Sequence, residues 1–158
     1  MNSVSTTFSS ENAQIDDVNG IAELLKQYAD MGNLLPRSAA DIEKNIADFK
    51  VIRDSKKQVI ACGALEQFTD ELIEIRSLVV DPTIQGKGLG KIIVNDLIKT
   101  AKARGAKRLM ALTYSVGFFN KLGFEVVDKK IFPEKVWSIC VNCYKFNNCD
   151  ETAVLLHL

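Results

Sequence analysis

The chain has 158 residues, of which 47% are hydrophobic and 25% charged, and these proportions are typical of a globular protein with one buried core. Its 20 basic and 20 acidic residues cancel, which argues against binding to nucleic acid or to an anionic membrane surface. No apolar run reaches about 18 residues, so no segment is predicted to span a membrane. Residues 1–10 lack the pattern of a secretion signal. We therefore expect a polar tail over 1–10, a single domain over 11–158 and a cytoplasmic location.

The N-terminal half predicts two helices followed by three strands. Apolar residues recur at helical spacing from Ile15 to Ala29, and Ser38 is placed to cap a second helix that continues to Phe49. Three segments rich in β-forming residues follow and predict an antiparallel meander: Phe49–Arg53, Gln58–Phe68 and Leu72–Asp81. Pro82 closes the third strand, because proline cannot donate to a ladder.

The C-terminal half begins with a long amphipathic helix, predicted from Gly88 to Arg104 and closed by Gly105. The elements predicted after it are a strand at Lys107–Leu112, a short helix at Ser115–Leu122, a strand at Phe124–Val127 and a last strand within Glu151–Leu158. This order predicts an α+β, or mixed α/β, fold with helices flanking a central mixed sheet, and it excludes a regular doubly wound sheet.

Three glycines alternate within Asp81–Ile93, just where the long helix begins. A turn without side chains that leads into a helix offers unpaired N–H groups and the positive end of the helix dipole, which together suit an anion. Lys87 and Lys91 add positive charge. The segment is not a nucleotide P-loop, because Ile92 stands where a magnesium-binding hydroxyl is needed. It also lacks the G-x-G-x-x-G spacing of the dinucleotide fingerprint.

The pattern Gln85-x-x-Gly88-x-Gly90, directly after the strand I-R-S-L-V-V-D-P, resembles the acetyl-CoA pyrophosphate loop of GNAT-type N-acetyltransferases. The segment F-F-N-K-L-G-F, Phe118–Phe124, is similar to the short helix that this family packs beside the thiol end of the coenzyme. The resemblance implies the GNAT fold, acetyl-CoA as co-substrate and no metal. It implies that the coenzyme contacts Leu78, Val79 and Val80 along the strand, Gln85, Gly86, Lys87, Gly88, Leu89, Gly90 and Lys91 in the loop, and Phe119. The alternative is a glycine-rich turn that only caps a helix.

Acetyl transfer to an amine calls for a general base, which is often a carboxylate. Glu74 lies eleven residues before Gln85, where the resemblance implies a catalytic glutamate; the alternative is a strand-edge carboxylate paired with Arg76. Strand N–H groups near Val79 are expected to stabilise the developing oxyanion.

The proton donor for the departing thiolate is left open by the sequence. Many members of the family carry a tyrosine where Phe119 stands, and phenylalanine has no proton to give. Either Tyr114 or Ser115 takes this role, or the thiolate leaves unassisted. Tyr114 can equally be an exposed loop aromatic.

Several further segments, among them L-L-P-R-S, C-G-A-L and E-I-R-S-L, resemble the short, kinase-free N-acetylglutamate synthase group of arginine biosynthesis. This resemblance implies L-glutamate as the acceptor and allows a homodimer. A dicarboxylate calls for cationic clamps, and the guanidinium fork matches a carboxylate. The expected ligands are Arg37 first, then Arg76 and Lys145, each of which is otherwise a solvated surface cation.

Three cysteines cluster near the C-terminus, at positions 140, 143 and 149. Structural zinc normally takes four ligands, and Cys62 and His157 are remote in sequence, so free thiols or an adventitious disulfide are the preferred interpretation over zinc. Two alternatives to glutamate acetylation stay open. One is acetylation of another small amine or of a protein N-terminus. The other is a non-catalytic acetyl-CoA-sensing module, which Phe119 favours.

Overall fold

The structure is a computed structural model that describes residues 8–30, 37–132 and 151–158. Its α-helices are α1 (Val18–Asp30), α2 (Ala39–Lys44), α3 (Leu89–Ala103) and α4 (Val116–Lys121). Its strands are β1 (Glu11–Asn12), β2 (Phe49–Arg53), β3 (Val59–Gln67), β4 (Leu72–Val80), β5 (Arg108–Thr113), β6 (Glu125–Val127) and β7 (Thr152–His157). The chain divides into two compact units, one formed by residues 1–64 and 77–97, the other by 65–76 and 98–158.

The strands form one mixed sheet in the order β1-β2-β3-β4-β5-β7-β6. β2 and β3 are antiparallel, and the backbone bonds Phe68 N–H to Leu72 O and Asp81 N–H to Ile60 O show that β3 and β4 form the next hairpin. β5 joins β4 in parallel, whereas β7 is antiparallel to both β5 and β6. The predicted meander and the mixed sheet flanked by helices are therefore confirmed.

The first unit is built around α1, α2 and the strands β2 and β3. Its core contains the fully buried side chains of Ile21, Leu25, Ile42 and Phe49. At Gly63, on β3, an added Cβ would stand 2.7 Å from Ile93 Cγ2 and 3.0 Å from Leu97 Cδ1. The missing side chain therefore lets α3 pack close against β3.

The second unit has its own core, formed by the buried residues Phe68, Leu72, Met110, Phe132, Ala153 and Leu155. Its central ladder aligns Leu72–Glu74 of β4 with Arg108–Met110 of β5. The carbonyl of Glu71 accepts two backbone bonds, from Lys107 and Arg108, each at 2.9 Å. These bonds fix the start of β4, which carries Glu74.

Most predicted boundaries agree with the structure to within a residue or two, and two differ more. The first helix begins at Val18, after a 3-10 turn at Ile15–Asp17. The second ends at Lys44 rather than Phe49, because the backbone of Asn45 leaves the helical region and a 3-10 turn follows at Ile46–Asp48. No described helix has the length and apolarity needed to cross a membrane.

Candidate active site

A tight turn connects β4 to the glycine loop. Asp81 ends the strand, and its carboxylate accepts the backbone N–H of Thr83 at 2.9 Å and the hydroxyl of the same residue at 2.8 Å. The Ile84 N–H bonds back to the Asp81 carbonyl at 3.0 Å. An Asx-type turn of this kind uses a short side-chain acceptor, here Asp81, and Pro82 sets the φ angle of the next position in advance.

The glycine loop has a backbone that other residues tolerate poorly. Gly86 and Gly88 have φ angles of 87° and 78°, in the left-handed region. An added Cβ at either position would meet no atom within 4 Å, so the glycines are required by conformation and leave open space beside the backbone. A loop with this space fits a ligand that approaches the main chain closely.

The start of α3 presents donors towards that loop. Ile92 N–H bonds to the Gly88 carbonyl at 3.1 Å, so the amides of Leu89, Gly90 and Lys91 precede the first bond of the helical ladder. These amides and the helix dipole favour a negative charge, and the exposed side chain of Lys87 adds to the attraction. The residues predicted to hold a pyrophosphate are thus brought together in one loop.

Backbone groups at the end of β4 face β3 on one side of the strand and point away from it on the other. Asp81 N–H bonds to the Ile60 carbonyl at 2.8 Å, and the Ser77 carbonyl accepts from the Cys62 thiol at 3.4 Å, so these residues face β3. The backbone groups of Leu78 and Val80 therefore turn to the opposite edge. Within the described residues, the positions of β4 that pair with β5 are Leu72–Glu74, which precede Leu78 and Val80 along the strand.

Arg37 lies among polar and aromatic partners in the first unit, with 18% of its side chain exposed. Its Nε donates to Asp41 Oδ2 at 2.6 Å, and its Nη1 donates to the Ser77 hydroxyl at 3.2 Å. The guanidinium carbon also stands 5.0 Å from the centre of the Phe49 ring, in cation–π geometry. These contacts hold the guanidinium in one orientation.

Ser77 has a φ of 55°, which is uncommon for a residue other than glycine and lies in the middle of β4. Its side chain is buried, its hydroxyl accepts from Arg37, and its carbonyl accepts from the Cys62 thiol at 3.4 Å. Strained backbone of this kind is retained where surrounding contacts hold it, often at functional sites. Ser77 is thus built into the setting of Arg37.

Glu74, the predicted base, is 5% exposed in the second unit. Burial raises the pKa of its carboxyl to about 7, the charge of Arg76 lowers it, and the carboxylates of Glu66 and Glu151 raise it further. Arg76 Nε stands 3.8 Å from Glu74 Oε1, which is an ion pair but too long for a hydrogen bond. The carboxyl is therefore suited to exchange a proton near neutral pH.

The remaining predicted residues are found in different settings. Phe119 is buried and makes edge-to-face contacts with Phe118 and Phe124, with ring centres 5.1 Å apart in both pairs. Tyr114 is 47% exposed just beyond β5, and the Ser115 N–H bonds to Thr113 Oγ1 at 2.8 Å. Lys145 lies outside the described residues.

No group of three metal-binding side chains occurs within the described part of the chain. Cys62 is fully buried, and burial raises the pKa of its thiol to about 12, so this cysteine is a neutral core residue. The cysteines at 140, 143 and 149 lie outside the described ranges.

Sequence reasoning missed three residues around these groups, namely Tyr28, Asp41 and Ser77. From the sequence, Tyr28 is one of the apolar positions of the first helix, and Asp41 lies three residues after the capping Ser38. The spacing of four residues between Arg37 and Asp41, at the start of α2, does indicate that the two side chains lie one turn apart. No sequence signal points to the conformation of Ser77.

Comparison with known proteins agrees with this geometry. A model of the acetyltransferase (GNAT) family matches residues 20–124. An uncharacterised N-acetyltransferase of Chlorobaculum tepidum is 37% identical over 144 residues, which are 91% of this chain and 92% of that protein. The amino-acid acetyltransferase of Salmonella arizonae is 33% identical over 124 residues, 77% of this chain, and the match spans only 28% of that longer protein.

Among solved structures, the N-acetylglutamate synthase from Neisseria gonorrhoeae, complexed with coenzyme A and N-acetyl-glutamate, superimposes with a TM-score of 0.86. It is 27% identical, and the match covers 98% of this chain and 36% of that one.

Proposed function

This chain belongs to the acetyltransferase (GNAT) family, and we propose that it transfers the acetyl group of acetyl-CoA to the amine of L-glutamate. The observation that carries the proposal is the open glycine loop at the start of α3, with Gly86 and Gly88 in the left-handed region. Such a loop presents main-chain donors to a diphosphate without obstruction from side chains. Bound acetyl-CoA supplies the activated acetyl thioester.

The glycine loop and the edge of β4 are proposed to bind different parts of the coenzyme. In this proposal the amides from Gly86 to Lys91 hold the pyrophosphate. The backbone groups of Leu78 and the Val80 N–H pair with the pantetheine arm, because an extended amide-containing chain can add to a strand edge, while the Val80 carbonyl accepts from the Tyr28 hydroxyl. The amides of Leu78 and Val80, on the edge of β4 that faces away from β3, are the better donors for the thioester oxygen.

Glu74 is proposed as the general base that takes a proton from the acceptor amine. An amino acid carries its amine as an ammonium group at neutral pH, and a carboxyl with a pKa of about 7 accepts a proton from it far more readily than one at 4.5. Arg76, at 3.8 Å, keeps part of the Glu74 population ionised.

Arg37 is proposed as the main ligand for an acceptor carboxylate, with Arg76 and Lys145 as further candidates. The orientation of the Arg37 guanidinium is set in advance by Ser77, Asp41 and Phe49, so little side-chain entropy is lost when it binds. The name of the Neisseria gonorrhoeae enzyme, an N-acetylglutamate synthase, and the name of the Salmonella relative support an amino acid as the acceptor.

The test is release of free CoA from acetyl-CoA with L-glutamate, compared with D-glutamate, L-glutamine, L-aspartate and a peptide with a free N-terminus. Turnover with L-glutamate that exceeds the others supports the proposal. Stronger turnover with another amine would replace glutamate as the acceptor.

Phe119 favours a second candidate, a module that binds acetyl-CoA without transferring the acetyl group. Its ring is buried among Phe118 and Phe124 and offers no proton for a departing thiolate. This candidate expects acetyl-CoA binding with no CoA release above the hydrolysis control for any amine in the panel.

A further inference from the structure

Tyr28, near the end of α1, connects the end of β4 to the first residue of the glycine loop. Its hydroxyl donates to the Val80 carbonyl at 2.7 Å and accepts from Gln85 Nε2 at 2.6 Å. The O–H···O distance is typical of a well-formed hydrogen bond, and the N–H···O distance is slightly shorter than usual. One hydroxyl therefore uses its donor and an acceptor lone pair to join two points that lie on either side of the turn at Asp81.

The tyrosine ring anchors this link in the first unit. It is half-buried and packs against the core cluster that contains Leu25 and Phe49. Burial raises the pKa of the phenol above its usual value of 10.0, so the hydroxyl keeps its proton at neutral pH. The Tyr28 hydroxyl can therefore donate its hydrogen bond to the Val80 carbonyl at neutral pH.

Gln85 has no other side-chain bond in the ranges that the structure describes, and its side chain is exposed. The bonds around Asp81 fix the inside of the turn, but they do not connect it to any helix. Tyr28 is thus the residue through which the loop entrance is held to α1. Without this hydroxyl, we expect residues 85–88 to sample more positions relative to the edge of β4.

We propose that Tyr28 is a positioning residue for acetyl-CoA, holding Val80 and Gln85 at a fixed separation. The inference rests on the proposed coenzyme site, because the strand edge and the loop amides bind different parts of one ligand. A ligand that spans two sites gains affinity when their spacing is set before it binds. Tyr28 itself contacts neither the acceptor nor the reacting atoms.

Tyr28→Phe removes the hydroxyl and keeps the ring in the core. We expect the Kd for acetyl-CoA, measured by calorimetry, to rise about five- to tenfold, since each neutral hydrogen bond contributes roughly this factor. The KM for acetyl-CoA should rise with it, while the KM for the acceptor stays unchanged. A purely structural role would instead lower the melting temperature and move both KM values together, and that result would overturn the inference.

Gln85→Met provides a second route to the same link, and Gln67→Met is its matched control. Gln67 is also an exposed glutamine, at the end of β3, where its amide donates to the Thr69 carbonyl at 3.4 Å. Gln85→Met should weaken acetyl-CoA binding as Tyr28→Phe does, and Gln67→Met should leave the Kd unchanged. The Tyr28→Phe/Gln85→Met double variant should bind no more weakly than about the worse single variant.

Losses that multiply in the double variant would show two independent effects and would overturn the link. Single variants with a wild-type Kd would also overturn it while leaving the coenzyme site in place. Calorimetry needs no acceptor, so this result does not depend on glutamate. A wild-type protein that gives no heat with acetyl-CoA would remove the coenzyme site, and the role of Tyr28 with it.

Discussion

Arg37 and Glu74 are both charged and mostly buried, and the protein treats them in opposite ways. Arg37 is surrounded by partners: a carboxylate at 2.6 Å, a hydroxyl at 3.2 Å and an aromatic face at 5.0 Å. Glu74 makes only one ionic contact within the described residues, at 3.8 Å, and two further carboxylates act on it.

The difference distinguishes a residue suited to bind a substrate carboxylate from a residue suited to transfer a proton. A cation with good hydrogen bonds keeps its charge and its orientation, which suits a residue that binds a carboxylate. A carboxyl that is poorly compensated has a raised pKa and changes protonation near neutral pH, which suits a residue that moves a proton. Substitutions in the first region should therefore change KM, and substitutions in the second should change kcat and its pH dependence.

Glu74→Gln is expected to have the largest effect on turnover. The amide cannot accept a proton, so kcat should fall about 10²- to 10⁴-fold, the range typical of a lost general base. In the wild-type protein kcat should rise with pH and level off above about 7, the pKa of Glu74, and the variant should lose this rise. CoA release, measured at fixed times across a series of pH values, gives both kcat and its dependence on pH.

Glu71→Gln is the control, because Glu71 precedes β4 with its side chain 56% exposed. It should retain the kcat and pH profile of the wild type. If Glu74→Gln did the same, Glu74 would not be the base.

Arg37→Ala should act on the acceptor. We expect the KM for L-glutamate to rise about 10- to 100-fold, because a charged hydrogen-bonding partner is lost, and the KM for acetyl-CoA to stay unchanged. Arg37→Lys keeps the charge but not the guanidinium fork, so its KM for L-glutamate should lie between those of the wild type and Arg37→Ala. A similar rise in both KM values would show that Arg37 maintains the fold rather than binding substrate.

The stability of Glu74→Gln should depend on pH in a defined direction. The pKa of Glu74 is raised on folding from 4.5 to about 7, so the favourable contribution of the neutral acid is complete below 4.5 and is lost as the pH rises to about 7. The variant cannot ionise. It should therefore match the wild type near pH 4 and exceed it above pH 7 by on the order of 3 kcal/mol, from about 1.4 kcal/mol per pKa unit.

Denaturant unfolding at about pH 4 and about pH 9 measures this gap. Equal free energies of unfolding for the two proteins at both pH values would show that Glu74 is not desolvated in the native state.

Asp41→Asn should have the smallest effect. Its amide oxygen can still accept from Arg37 Nε, at the cost of the bond from Asn45 Nδ2 to the other carboxylate oxygen, so the guanidinium keeps its orientation while a neighbouring negative charge is removed. The KM for L-glutamate should fall about two- to fivefold, since the Asp41 carboxylate is 44% exposed and its charge is partly screened. Low salt should enlarge the difference. A higher KM would mean that the charge of Asp41 is itself needed to hold Arg37.

Elements that carry their own local signals were predicted well. The strands from Phe49 to Val80 are separated by turn residues, and α3 lies between two glycines, so their boundaries could be placed from the sequence. β1 was missed because Glu11 and Asn12 are polar and exposed, and they form a strand only by pairing with Val51 and Lys50.

Some properties of the candidate site likewise follow from the sequence, and others depend on tertiary contacts. The position of Glu74 follows from its spacing to the glycine loop, but its pKa depends on burial and on Glu66 and Glu151, which lie elsewhere in the chain. The Tyr28 hydroxyl bonds to a residue 57 positions away, and no local pattern contains that information. Tertiary contacts, not propensities, set these properties.

The central claim is that the glycine loop holds the diphosphate of acetyl-CoA, and the two ends of α3 allow a matched test. Gly88 and Gly105 flank the helix with φ angles of 78° and 84°, and neither has an atom within 4 Å of an added Cβ. Gly88→Glu and Gly105→Glu therefore impose the same backbone strain and add the same charge, one at the proposed phosphate site and one at the opposite helix end.

The decisive measurement is calorimetric titration of acetyl-CoA into the wild type and these two variants, with melting temperatures recorded in parallel. The account predicts wild-type affinity for Gly105→Glu and no measurable binding for Gly88→Glu, with similar losses of melting temperature in both. Unchanged affinity in Gly88→Glu would contradict it.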